Sequence, residues 1–179
     1  MPEQTDHAVD LPRLAFETYR EEYRDLSDTW RNLDAKAQGL RAIAGIFLAA
    51  LFAWAREVPD DYGVRIRYLI VLSIGLLVAS IVSAVLALQV RRVSAPPLGE
   101  ETASMVRDIL HKQKPDELPE RIARFYNDQV TAWKDTNEDM SAQCEQKAAR
   151  LFVGQCALLL SAVLVAVLTA MAVLGLTTL

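Results

Sequence analysis

The chain has 179 residues, 52% of them hydrophobic, and a formal net charge of -4 at pH 7. Its apolar residues gather in blocks at 40–55, 68–90 and 151–179, and because a bilayer core about 30 Å thick needs ~20 apolar residues as helix, this distribution excludes an ordinary soluble domain. The acidic balance argues against a protein that coats nucleic acid, and the long polar stretch ahead of the first block argues against a cleaved signal peptide.

Residues 1–10 are mostly polar and are expected to be disordered, and a cytosolic stalk helix is expected at 11–39. From there Phe16, Tyr19, Tyr23, Leu26, Trp30, Leu33, Ala37, Leu40, Ala44, Phe47, Leu51 and Trp54 follow one another in alternating steps of three and four. That is a heptad seam, which holds one face of a helix toward a partner. It does not stop where the charges stop, so stalk and first span (40–56) read as one helix. Phe47 and Leu51, on the seam inside the span, are the candidates for a hydrophobic gate that closes a pore by dewetting.

A short external loop at 57–67 leads to a second span at 68–90, which carries no charge. Gly75, Ala79, Ser83 and Ala87 recur there at intervals of four, and Gly45, Ala49 and Ala53 do so in the first span, a spacing that lets helices approach closely. Arg91 and Arg92 close the second span, and the prolines of "SAPPLGE" end the helix.

Residues 91–150 form a cytosolic helical region. A short helix is expected at 100–113, and "KPDELPE" breaks it. Pro119 suits a first helical turn, and neither proline nor glycine follows until Gly154, so one rod of about 85 Å is expected from 119 to about 176, at 1.5 Å per residue. Its stripe of Val130, Trp133, Met140, Cys144 and Leu151 carries Asn137 at a seam position, where a polar residue sets register and oligomer state. The third span is 151–176, with an external tail at 177–179. Basic residues concentrate before the first span and after the second, which puts the N-terminus in the cytoplasm of a multi-pass protein. Two stalk helices in one chain leave apolar surface wet, so a homo-oligomer is expected.

Catalytic chemistry has no foothold here. His7 and His111 are the only histidines, Cys144 and Cys156 fit neither a disulfide framework nor a metal spacing, and no phosphate loop or nucleophile elbow occurs. We therefore expect no enzyme activity, no cofactor and no metal. The last two spans hold no ionisable side chain, which disfavours ion-coupled transport.

One charged feature is ordered. On a straight helix Arg13, Arg20, Arg24 and Arg31 fall within about 40° of one another. With Tyr23 among them they form a candidate binding face for a nucleotide or short oligonucleotide; the plainer reading is a solvated face crossed by pairs with Glu17 and Asp28.

"LDAKAQG" entering a short span, and a second span closing on "SAVLALQVRR", resemble the hairpin of Pycsar-type transmembrane effectors and, more loosely, of the SLATT group. Asp34, Lys36 and Ala37 match their acidic-x-Lys-Ala motif and Arg91 and Arg92 the basic residues after the second span, over 30–97. The long helix and third span look like the channel effectors of Hailong-type systems. The resemblance implies an oligomeric pore of the bacterial inner membrane, acting in abortive infection and controlled by a nucleotide signal from a partner cyclase or nucleotidyltransferase. The competing expectation is a non-conducting anchor that docks a soluble partner through its stalk.

Overall fold

The computed structural model describes residues 3–57, 63–89, 103–104, 106–107 and 118–174, with side chains from residue 10 onward. Three helices carry the fold: α1, Glu3–Glu57; α2, Val64–Leu88; and α3, Leu118–Val173. Each is long and apolar enough to cross a membrane, and no strand occurs among the described residues. The fold is all-α, as the block composition predicts. Of the short helix expected at 100–113, Ala103, Ser104, Val106 and Arg107 are helical and the rest lies outside the described residues, as do Arg91, Arg92, His111, residues 58–62 of the loop expected at 57–67 and the tail at 177–179.

α1 starts at Glu3, ahead of residue 11, so 3–10 are helical rather than disordered, with Pro12 inside the helix. A proline forfeits only its own N–H bond and crowds the carbonyl four residues earlier. Acidic residues at 3, 6 and 10 favour the positive end of a helix dipole. α2 starts at Val64, four residues before the uncharged block, and its first turn closes through Ile66 N–H to the Gly63 carbonyl at 3.0 Å.

The chain forms two compact units, and α1 and α3 contribute to both. The first contains the described residues of α1 up to Trp30 and of α3 up to Cys144. There the two helices run parallel, since Asn137 reaches the Tyr19 carbonyl and Cys144 the Leu26 carbonyl, each across the same separation of 118 residues. Rings fill the seam between them. Trp133 meets Phe16 at 6.1 Å and Tyr23 at 5.3 Å, both edge to face, and Tyr126 meets Phe16 at 5.9 Å. The two stripes read from the sequence thus pack on each other within one chain. Phe16, Tyr19, Tyr23, Leu26 and Trp30 all remain half-buried, because a pair of helices covers each seam from one side only.

The second unit is a three-helix bundle. Lys147 of α3 pairs with Asp34 of α1, so those two helices stay parallel. α2 runs against both: Ser83 bonds Arg150, while Ser73, earlier in α2, receives a bond from Ser161, later in α3. The buried face of α2 is Ile66, Ile70, Ser73, Leu77, Ser80, Ala84 and Ala87, and α3 offers Lys147, Leu151, Gly154, Ser161 and Leu168 with Leu158 and Val165 half-buried between them. Both follow steps of three and four, the spacing of coiled-coil packing. α1 keeps the same spacing through Ala37, Leu40, Ala44 and Leu51, but Leu48 rather than Phe47 joins the core, and Phe47 is 39% exposed. The seam resumes at Leu51 and Trp54, so the departure is local to Phe47.

The four-residue run expected to bring helices together is not the packed face of α2. Gly75 and Ala79 are exposed and only Ala87 is buried. Close approach comes instead at Gly154, where a Cβ would lie 2.9 Å from Leu40 Cδ2, 3.2 Å from Ser83 Cβ and 3.3 Å from the Ser80 carbonyl. Only 11% of the most apolar window of α3 is buried in the protomer. The remainder requires lipid or other copies of the chain.

Candidate functional site: a polar clasp at the start of the spans

A layer of polar contacts ties the three helices of the second unit where α1 and α3 turn apolar and α2 ends. Lys147 sits on the packed face of α3, three residues after Cys144 and four before Leu151, and its side chain is only 6% exposed. Its Nζ donates to Asp34 Oδ1 at 2.7 Å, and Asp34 is 32% exposed. A lysine so placed needs its counter-ion, because removing a charge from water costs several kcal/mol unless it is paired.

Arg150, one turn further along α3, engages the end of α2 twice. Its Nη1 donates to the Leu86 carbonyl at 2.6 Å, and its own carbonyl accepts from Ser83 Oγ at 2.9 Å. The last four carbonyls of a helix have no partner within it, and a cation there is favoured by the dipole. Between these contacts Ala37 is fully buried, packed with Leu40, Ala84, Ala87 and Leu151. The two helix-facing members of the motif therefore have separate tasks: Asp34 neutralises a buried lysine, and Ala37 keeps the helices close. Lys36, between them, is exposed.

Deeper in the bundle the polar atoms are serine hydroxyls. Ser161 Oγ donates to the Ser73 carbonyl at 3.1 Å and Ser73 Oγ to the Leu69 carbonyl at 2.8 Å, whereas buried Ser80 Oγ has no partner among the described residues. In the first unit Asn137 plays the equivalent part. Its Nδ2 donates to the Tyr19 carbonyl at 2.9 Å and to Glu22 Oε2 at 3.1 Å, while its buried Oδ1 has no partner among the described residues.

Of the arginine face, Arg13, Arg20 and Arg24 are exposed in the first unit, and Arg31 is exposed in the second. Arg13 Nε pairs with Glu17 at 3.2 Å, and Glu17, Arg20, Glu21 and Arg24 surround a shallow cleft of about 240 Å³. Tyr23 turns away from that face to Trp133, so its ring is engaged in the helix pair. Phe47 and Leu51 border an apolar cleft of about 530 Å³ with Trp54, Val165, Leu168 and Val173. Leu51, 4% exposed, belongs to the protomer's own core, and Phe47 is the one at the surface.

Lys147, Arg150 and Gly154 carry contacts that the sequence did not point to, while Ser83 was read only as one of a run of small residues. The available signal was a lone cation at a heptad position, between Cys144 and Leu151. Cys144 is buried and Cys156 exposed, neither in a disulfide, and no group of His, Cys, Asp and Glu among the described residues is arranged to hold a metal.

No curated protein and no solved structure matches the chain. The family profile of the Pycsar effector protein domain matches residues 18–176, a span that takes in α2, the seam of α1 from Tyr19 onward, the clasp and all of α3. A membrane-spanning bundle of three helices that carries this domain over most of its length belongs to the Pycsar effector family, the membrane effectors of an antiphage defence system.

Proposed function

We propose that this effector is an oligomeric channel of the bacterial inner membrane, gated by a nucleotide or short oligonucleotide that its cytosolic helices bind, and that its opening depolarises the infected cell. The observation that carries the proposal is the continuity of α1 and α3. Each runs as one helix through a unit of aromatic pairing and a unit of span packing. Ligand-dependent change in the helix pair therefore has a covalent, hydrogen-bonded route to the spans, with Asp34, Lys147 and Arg150 the polar contacts it would have to keep or break.

Assembly is supported by the half-buried aromatic seam and by the large apolar area of α3 left uncovered. Phe47, exposed on the protomer and backed by Leu51, is positioned to narrow a lumen shared between copies. Arg13, Arg20, Arg24 and Arg31 supply the cations for a phosphate ligand, which would displace carboxylates such as Glu17 from them. A partner cyclase or nucleotidyltransferase would make the signal. The test is nucleotide binding to the purified protein and to Arg20→Glu/Arg24→Glu. Loss of binding with unchanged helix content supports the proposal, and unchanged affinity contradicts its sensing part.

A further inference from the structure

The clasp leaves one member of the acidic-x-Lys-Ala motif without a task. Asp34 is committed to Lys147, and exposed Lys36 has no ion-pair partner among the described residues. Lys36 borders a groove of about 400 Å³ formed by α1 and α3 of the second unit. From Lys36 the wall continues through Gly39 to Ile43 on α1, a drop of about 10 Å over two turns at 1.5 Å per residue. The facing wall is Gln155, Leu158 and Leu159 on α3. A Cβ built on Gly39 meets nothing within 4 Å, so the middle of the groove is open. Ile43 and Leu159 remain 47% and 67% exposed.

One end of this groove is thus an uncompensated ammonium and the rest is mainly hydrocarbon with one amide, Gln155, at the level where the spans begin. The complementary molecule is a single amphiphile whose anionic head pairs with a cation and whose chain covers leucine and isoleucine. We infer that the groove holds an anionic phospholipid, its phosphate on Lys36 and one acyl chain along Ile43, Leu158 and Leu159. A soluble nucleotide or phosphate meets the charge but leaves the apolar wall uncovered. A zwitterionic lipid covers the wall, but its own cation opposes Lys36. The occupancy is a property of the protein's seat in the bilayer and is measured without reference to ion flux.

Native mass spectrometry of the full chain, released from detergent with equal phosphatidylglycerol and phosphatidylcholine, reads the preference directly. Wild type retains the anionic lipid with a preference of about fivefold, the contribution of one lysine near a membrane surface. Lys36→Gln brings the two lipids to parity, and Lys36→Arg keeps the preference. Gly39→Leu, whose Cβ meets nothing within 4 Å and whose side chain occupies the groove, lowers retention of both lipids while the thermal melt does not fall. Parity in wild type, an undiminished preference in Lys36→Gln, or displacement of the lipid by glycerol phosphate or a nucleotide at equal concentration would each overturn the assignment.

Discussion

Removing Asp34 and removing Lys147 should not cost the same, although both break one ion pair. Asp34→Ala strands an ammonium whose side chain is 6% exposed, and loss of one partner from a buried pair costs about 3–5 kcal/mol. Lys147→Met replaces the charge with an apolar chain of similar length on a packed helix face. It leaves behind a carboxylate that is 32% exposed and can hydrate, so its cost should be about 1–2 kcal/mol. The double variant removes both charges and keeps the packing, which for buried pairs is often near neutral. It should be more stable than Asp34→Ala alone by about 2 kcal/mol. The assay is reversible unfolding in mixed micelles of mild detergent and SDS, followed by tryptophan fluorescence, with all four chains measured as a double-mutant cycle. Equal losses in the two single variants, or a double variant whose loss is their sum, would refute the argument that burial of Lys147 makes the pair necessary.

Three further outcomes follow from other parts of the fold. Gly154→Ala gains about 1 kcal/mol of helix propensity but drives its methyl into Leu40, Ser83 and the Ser80 carbonyl; overpacking of this kind costs about 1–3 kcal/mol, so the same unfolding assay should show net destabilisation. Trp133→Ala removes the edge-to-face partner of both Phe16 and Tyr23 and should destabilise by about 2–3 kcal/mol, below the usual range of 3–5 for a fully buried ring because the site is half-exposed. Asn137→Leu removes a buried unpartnered oxygen and should raise thermal stability, while broadening the distribution of oligomers seen by light scattering, since a polar seam residue specifies register at a cost.

The seam from Phe16 to Trp54 was legible because apolar residues at three- and four-residue steps in a charged helix have only one reading, and eleven of its twelve members are buried or half-buried. The exception, Phe47, yields its place in the core to Leu48, and the seam resumes at Leu51. α3 was harder to read. Its packed face includes Asn137, Lys147, Gly154 and Ser161, and hydropathy scores each of these as a break when the structure uses each as a contact. In the spans the sequence carries too little contrast to choose a face. Apolar residues surround the whole helix, so a run of small side chains such as Gly75 and Ala79 could point anywhere, and serines at 73, 80 and 161 mark the interior instead. The arginine face was legible as a spacing, whereas the turn of Tyr23 toward Trp133 depends on a ring 110 residues away.

In the proposed function, nucleotide binding to the cytosolic helices changes conduction through the spans. The direct measurement is ion flux from liposomes containing the purified protein, with a trapped potential-sensitive dye, as a panel of cyclic nucleotides and short oligonucleotides is added. At least one of them should change the rate of depolarisation, and Arg20→Glu/Arg24→Glu should abolish the response while the protein still inserts. An absence of flux under every ligand condition, from protein that is folded and inserted, would contradict the channel and leave a membrane anchor.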